Sequence, residues 1–228
     1  MNVVEDRVLR NRTFVFRDRI HAGGVLVEKL RETLTERRGL VLGIPAGGVP
    51  VASVVASRLG FGLDVAVVRK VQIPWNTEAG FGAVSWDGTV VLNELLVAQL
   101  GLDSRAVELG ISKTRGIVEE RLRRFRGDRP PFEVAGECVI LVDDGLASGF
   151  TMLVAASSVK KLDPGRLVVA VPTGSRSAVE LVAPEVDLLV CLNIRSGPVF
   201  AVADAYQKWY DLSDEEVESF LRGSRAQS

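Results

Sequence analysis

Short, unbroken apolar runs alternate along the chain with segments of helical period. GLVLGI (39–44), LDVAVV (63–68), ECVILV (137–142), RLVVAV (166–171) and DLLVCL (187–192) are rich in β-branched residues and leucine, without in/out alternation. Strands buried on both faces read this way, and parallel sheets covered by helices on both sides produce them. Leu26, Leu30 and Leu34 recur at every fourth position within 18–36, and Val51, Val54, Val55 and Leu59 mark a second helix after Gly47–Gly48. Residues 152–162 and 176–183 supply two more helices. The βαβ alternation predicts an α/β fold, a doubly wound and mostly parallel sheet.

Three regions depart from that alternation. Residues 71–92 contain Pro74, Gly80, Gly82 and Gly88, and VSWDGTVVL reads as a hairpin turning at Asp87–Gly88. Residues 94–126 are helical in pattern and end in RLRRFR, after which RGDRPP breaks the helix. A last helix opens at Ser213 with Glu216 three residues on, the spacing of a capping box. The expectation is a single domain over 1–228: a core of about 14–70 and 132–193, an inserted hairpin and helix at 71–131, and a hood with C-terminal helix at 194–222.

Composition narrows the class. Hydrophobic residues make up 47% and charged residues 25%, which excludes a disordered chain. With 28 Lys+Arg against 29 Asp+Glu there is no basic field to hold a phosphate backbone, so nucleic acid is not an expected partner. No apolar run has membrane-spanning length, and MNVVEDRVLRNRTFVFRDR is too charged for a signal peptide. Cys138 and Cys191 sit in strand-like runs and read as buried thiols of a reducing compartment, with a disulfide between them left open. These features together predict a cytoplasmic protein.

The chemistry concentrates in VILVDDGLASGFTM (139–152), an apolar strand followed by Asp143 and Asp144, then a loop of small residues, then a helix starting near Thr151. Across Gly145, Leu146, Ala147, Ser148, Gly149, Phe150 and Thr151 such a loop can turn successive amides inward. Ser148 and Thr151 add hydroxyl donors, and the helix adds its positive end, so the segment can cup a phosphate monoester. The two acids would repel that phosphate but suit the hydroxyls of an attached sugar, or a Mg²⁺ ion near them. Solvated acids, a glycine turn and a helix cap are the plainer interpretation; the uninterrupted order of strand, acids, cup and helix favours the binding site. Neither GxxxxGK[ST] nor a GxGxxG between strand and helix is present.

Residues 139–151 resemble the phosphoribosyl-pyrophosphate (PRPP) signature of the type I phosphoribosyltransferases. GIPAGGVPVA (43–52) is similar to the pyrophosphate loop of that family, and VVRK (67–70) resembles the strand end where the family places basic residues. FRDRIHAGGVLVEKL, VVLNE and FAVADAYQKWYDL further resemble one less characterised subgroup, so that the likeness covers about residues 14–222. The resemblance implies a Mg²⁺-dependent transfer of phosphoribose from PRPP to a nitrogen acceptor, with release of pyrophosphate. It implies that Asp143 and Asp144 hold the ribose hydroxyls and metal, and that residues 145–151 hold the 5-phosphate. It further implies that Ala46, Gly47 and Gly48 admit the diphosphate to backbone amides, in a loop that often carries a non-proline cis peptide, and that Arg69 and Lys70 neutralise charge. Considered alone, Gly47–Gly48 reads better as an ordinary strand-to-helix turn, and Arg69–Lys70 equally as a pair of surface cations.

Several positions depart from the pattern. Members acting on 6-oxopurines carry a further Asp where this chain has Ala147, so the loop is closer to the adenine and orotate types. The segment corresponding to the family's mobile loop, about 71–90, has no basic residue, leaving Arg69, Lys70, metal and backbone, or Lys113 or Arg115, for the leaving group. Glu78 is a candidate proton acceptor as well as a plain loop acid, and His21 reads as structural or exposed rather than catalytic. Arg195, Phe200, Tyr206 and Trp209 are candidates for the hood over an acceptor, and none of them dictates which acceptor. The competing function is a non-catalytic PRPP- or nucleotide-binding regulator. Against a DNA-bound form stand the balanced charge and the lack of a helix-turn-helix before residue 17. A PRPP-making diphosphokinase is disfavoured because the chain is too short for duplicated domains. The fold class often forms homodimers, but no sequence patch defines an interface.

Overall fold

All five apolar runs enter one parallel sheet, in a computed structural model that describes residues 2–197 and 199–225, apart from the side chains at 77, 78, 224 and 225. Its strands are β1 (Val3–Val4), β2 (Leu40–Gly43), β3 (Gly62–Val65), β7 (Cys138–Val142), β8 (Arg166–Ser175) and β9 (Leu188–Arg195), in the order β1-β9-β8-β7-β2-β3. Each run divides its residues between two apolar layers. Val41, Ile140, Val142, Val168, Ala170 and Val190 face α1 (Arg19–Thr33) and α2 (Gly48–Leu59). Leu42, Val139, Leu141, Val169 and Val171 face α5 (Phe150–Lys160) and α6 (Arg176–Val182). Apolar residues at consecutive positions are therefore required, because water reaches neither face. The edge strand β1, paired in parallel with β9, is an addition to the expected core.

The strand order places the site. From β2 the chain passes through α2 to β3 on one side, whereas from β7 it passes through α5 to β8 on the other. The sheet thus reverses its winding between β2 and β7, and the loops leaving their carboxyl ends diverge around a crevice, where doubly wound sheets bind ligands. Gly43 and Val142 are partners in register at those two ends.

The run 63–68 requires a correction, since it is not one strand. β3 stops at Val65, and Val68 begins β4 (Val68–Ile73) of a separate antiparallel sheet with β5 (Asn76–Ser85) and β6 (Val90–Leu92). Val65, Ala66, Val67 and Val68 are all buried, so hydrophobicity carries no mark of the crossing. Arg69 and Lys70 consequently lie within β4, not at the end of a strand of the main sheet. The second sheet packs against α5 and against α4 (Ser104–Arg126), which follows α3 (Glu94–Gln99); α7 (Asp214–Arg225) completes that side. The expected capping box forms at the start of α7, with the Glu216 amide donating to Ser213 Oγ at 3.2 Å and the Ser213 amide to Glu216 Oε2 at 2.8 Å.

The hairpin turn is pinned to α5 by Asp87. Its carboxylate accepts from the Thr89 amide (3.0 Å) and hydroxyl (2.7 Å), from Ser158 Oγ (2.7 Å) and from Lys161 Nζ (3.0 Å). Partial burial pushes the carboxyl pKa up, but the bonds from Thr89, Ser158 and Lys161 outweigh it and hold the group down at about 2. A depressed folded-state pKa contributes stability above the unfolded value that is lost as pH falls through the folded one. Asp87→Ala should therefore lower stability by about 1 kcal/mol at neutral pH, given its partial exposure. In denaturant titrations, the gap from the native protein should close between about pH 4 and about pH 2; a gap independent of pH would refute the assignment. No helix among the described residues is long and apolar enough to cross a membrane.

Candidate functional site

The chain leaving β2 turns through 44–48 into α2, and the Pro45–Ala46 peptide is cis. A non-proline cis peptide is what the resemblance implied for this turn. Gly47 and Gly48 are there because the neighbouring loop presses on them. A Cβ at Gly47 would lie 1.9 Å from Asp144 Oδ2, and one at Gly48 would lie 2.6 Å from the Val142 carbonyl and 2.8 Å from Asp143 Cα. The Gly48 amide is already taken by the Ile44 carbonyl at 3.0 Å, whereas those of Ala46 and Gly47 donate to no described residue. Ala46 and Gly47 also keep partial exposure, so the amides open to a ligand in this turn are theirs.

The opposite loop divides in two. Gly145 is wedged against Val202 and Thr173, and Leu146 continues the sheet, its amide donating to Thr173 O and its carbonyl accepting from the Ser175 amide, both at 2.9 Å. Leu146 is scaffold. Beyond it, Ala147 is anchored through its carbonyl by Ser175 Oγ at 2.7 Å, and Gly149 adopts φ 83°, a left-handed turn that leads straight into α5. Among the described residues, none of the amides of 147–151 donates a hydrogen bond, and neither does the hydroxyl of Ser148 or Thr151. Unspent donors at the start of an eleven-residue helix form a seat for an anion.

Between the two turns lie the acids, and they are not equivalent. Asp144 is buried, and its Oδ2 accepts from Arg19 Nε at 2.8 Å. Its backbone carbonyl accepts from the Tyr206 hydroxyl at 2.6 Å. Asp143 is half-buried, with Oδ1 accepting from the Asp144 amide at 2.8 Å, and it has no ion pair among the described residues. Burial and the charge of Asp144 hold the Asp143 carboxyl well above the usual carboxylate range. Burial raises Asp144 as well, against the pull of the Arg19 guanidinium. Two carboxylates thus stand beside one cation.

A family model described as "Phosphoribosyl transferase domain" matches residues 18–203. The chain belongs to that family. Two proteins of Mycobacterium tuberculosis, from strains CDC 1551 / Oshkosh and ATCC 25618 / H37Rv, are each 38% identical to it over 207 residues. Both bear the name "Putative phosphoribosyl transferase"; the match covers 91% of this chain but 46% of theirs, so the chain spans about half the length of these relatives. The crystal structure of TT1426 from Thermus thermophilus is similar with a TM-score of 0.73 and 41% identity, over 90% of this chain and 97% of that one.

The remaining candidates of this phosphoribosyl transferase domain fall further out. Arg69 and Lys70 border a cavity of about 390 Å³ between β4 and α4, together with Lys113 and an apolar wall that includes Ile73, Leu109 and Ile117. No residue of 46–48 or 143–151 lines it, and Arg115 does not either. Burial, with the like charge of Arg121, lowers the Arg69 pKa. The side chain of Glu78 lies outside the described residues. His21 is structural: its amide donates to Asp18 at the start of α1, and its Nδ1 accepts from the Arg17 amide at 3.2 Å. Phe150 opens α5 half-buried. In the hood, Arg195 pairs with Asp204 at 3.3 Å and lies 5.2 Å over Phe200, while Tyr206 is buried against Phe16 and Trp209.

Arg19 is the site residue that sequence reasoning missed. It opens α1 immediately after the cap Asp18, 125 positions from its carboxylate partner, and at that place reads as an ordinary helix-start residue. Arg19 meets the segment YQKWYDL in space at Trp209 and Tyr210, and no local sequence signal marks that meeting.

Proposed function

We propose that the domain transfers phosphoribose from PRPP to a nitrogen nucleophile and releases pyrophosphate. The observation that carries this reading is the run of unspent amides and hydroxyls at 147–151 facing the start of α5, one turn of chain beyond an under-compensated acid pair. Anion seat, acids and a second pair of open amides at Ala46 and Gly47 occupy the crevice where the sheet reverses. In this arrangement the 5-phosphate sits on 147–151, Asp143 faces the ribose hydroxyls with Asp144 behind it, and the diphosphate approaches the 46–47 turn. The C1–oxygen bond breaks, the nitrogen of the acceptor bonds to C1 and loses its proton, and pyrophosphate departs. The transition state is oxocarbenium-like, so charge neutralisation and positioning supply most of the rate.

Magnesium fits the same residues, since Asp143 has no ion pair among the described residues and stands beside a second carboxylate. Asp143, with Asp144 behind it, would hold the ion. When bound it supplies positive charge to the diphosphate and the ribose hydroxyls. Turnover tests the proposal: the protein is incubated with PRPP, Mg²⁺ and a pool of nucleobases and amines, and pyrophosphate and ribosylated products are measured. Acceptor-dependent pyrophosphate release is expected. Tight PRPP binding with no release across the pool would overturn transfer and favour a PRPP-binding regulator.

A further inference from the structure

Arg19 is 7% exposed, and its guanidinium is engaged through Nε, Nη1 and one face. Nε donates to Asp144 Oδ2 at 2.8 Å, Nη1 donates to the Tyr210 carbonyl at 2.9 Å, and the plane stacks on the Trp209 ring with its carbon 3.9 Å from the ring centre. On its other flank the Asp144 carboxylate rests on Gly47, in the space a Cβ would fill. The carboxylate is therefore gripped between α1, the 46–48 turn and the hood segment 206–210, with Tyr206 fixing the backbone of the same residue. Oδ2 is taken by Arg19, and the Asp144 side chain as a whole is 13% exposed.

We propose that Arg19 is a positioning residue for the donor site, and that it makes Asp144 a strut while Asp143 alone meets the ligand. This inference rests on the reading that the crevice binds PRPP, and it reassigns one of the two acids that the resemblance treats alike. A planar guanidinium suits the task because its fork reaches a carboxylate and a carbonyl at once while its face stacks on an indole, which an ammonium cannot do. Without it, the Asp144 carboxylate is buried and unpaired above Gly47, and the 46–47 turn loses the surface that fixes its two open amides. The hood reaches the donor site through the same residue.

The experiment measures PRPP affinity with Mg²⁺ by calorimetry in the native protein, Arg19→Gln, Asp144→Asn and the double variant. Arg19→Gln should weaken binding by about tenfold or more, because a charge-assisted contact is lost and a buried charge is stranded. Asp144→Asn should cost less, and adding it to Arg19→Gln should restore most of the affinity by removing the stranded charge. Arg19→Lys keeps the charge without fork or stack and should fall between; it carries the test should Arg19→Gln fail to fold. A direct role for Asp144 gives the opposite pattern: Asp144→Asn as damaging as Arg19→Gln, and no recovery in the double variant. That pattern, or unchanged binding in both Arg19 variants, would overturn the positioning role. Failure of the native protein to bind PRPP would instead overturn the functional reading beneath it.

Discussion

Gly48→Ala should destabilise the protein by about 3 kcal/mol and abolish donor binding, because the added methyl has nowhere to go. Its Cβ would sit 2.6 Å from a carbonyl of β7 and 2.8 Å from the Cα of Asp143, and backbone atoms of a central strand end cannot step aside. Gly47→Ala makes an instructive contrast. There the obstacle is a side chain, Asp144 Oδ2 at 1.9 Å, which can rotate away only by abandoning Arg19. The cost then comes from the broken pair and is of similar size, about 3 kcal/mol. Gly47 has φ −63° and ψ −31°, which any residue adopts, so strain in its backbone plays no part. Denaturant unfolding of both variants, followed by PRPP titration, checks this. A Gly48→Ala protein of native stability would mean that the two turns do not meet as closely as described.

These glycines show how much of the molecule is legible in its sequence. The parallel sheet and its two helical layers follow directly from continuous β-branched runs, because two-sided burial demands apolar residues at both parities. The order of strand, acids, small-residue loop and helix is a local property, so the 139–151 segment can be found without a structure. Partners far apart in the chain cannot be found that way. Nothing at 47–48 reveals that a carboxylate from 144 fills the missing side-chain volume, and nothing at Arg19 names its acid. The break at 65–68 is invisible for a different reason: a chain passing from one sheet to another inside the core stays apolar throughout. The cup itself begins later than its composition suggests, since the Leu146 amide is consumed by β8 while those of 147–151 stay open. Periodicity reports burial, and burial does not distinguish a scaffold amide from a functional one.

The two ends of the crevice should respond separately to substitution. Thr151→Val removes a hydroxyl that bonds to no described residue, so the fold loses little, whereas any ligand with a 5-phosphate loses a donor to an anionic oxygen. Such bonds are worth about 1.5–3 kcal/mol, and PRPP and ribose 5-phosphate should both bind about 10- to 100-fold more weakly. Asp143→Asn acts at the other end. It keeps the shape and the acceptor oxygen for the Asp144 amide, and it relieves the repulsion that burial and Asp144 impose on that carboxyl. Stability should hold or rise, while Mg²⁺-dependent PRPP binding should fall at least about tenfold through loss of the charge facing metal and diol. Inorganic phosphate, which reaches only the helix start, should compete for the cup equally well in native and Asp143→Asn protein and poorly in Thr151→Val. Titration calorimetry with the three ligands separates these outcomes. If Thr151→Val leaves all three affinities unchanged, the anion does not sit at α5; if Asp143→Asn weakens phosphate as much as PRPP, the acid does not face the sugar.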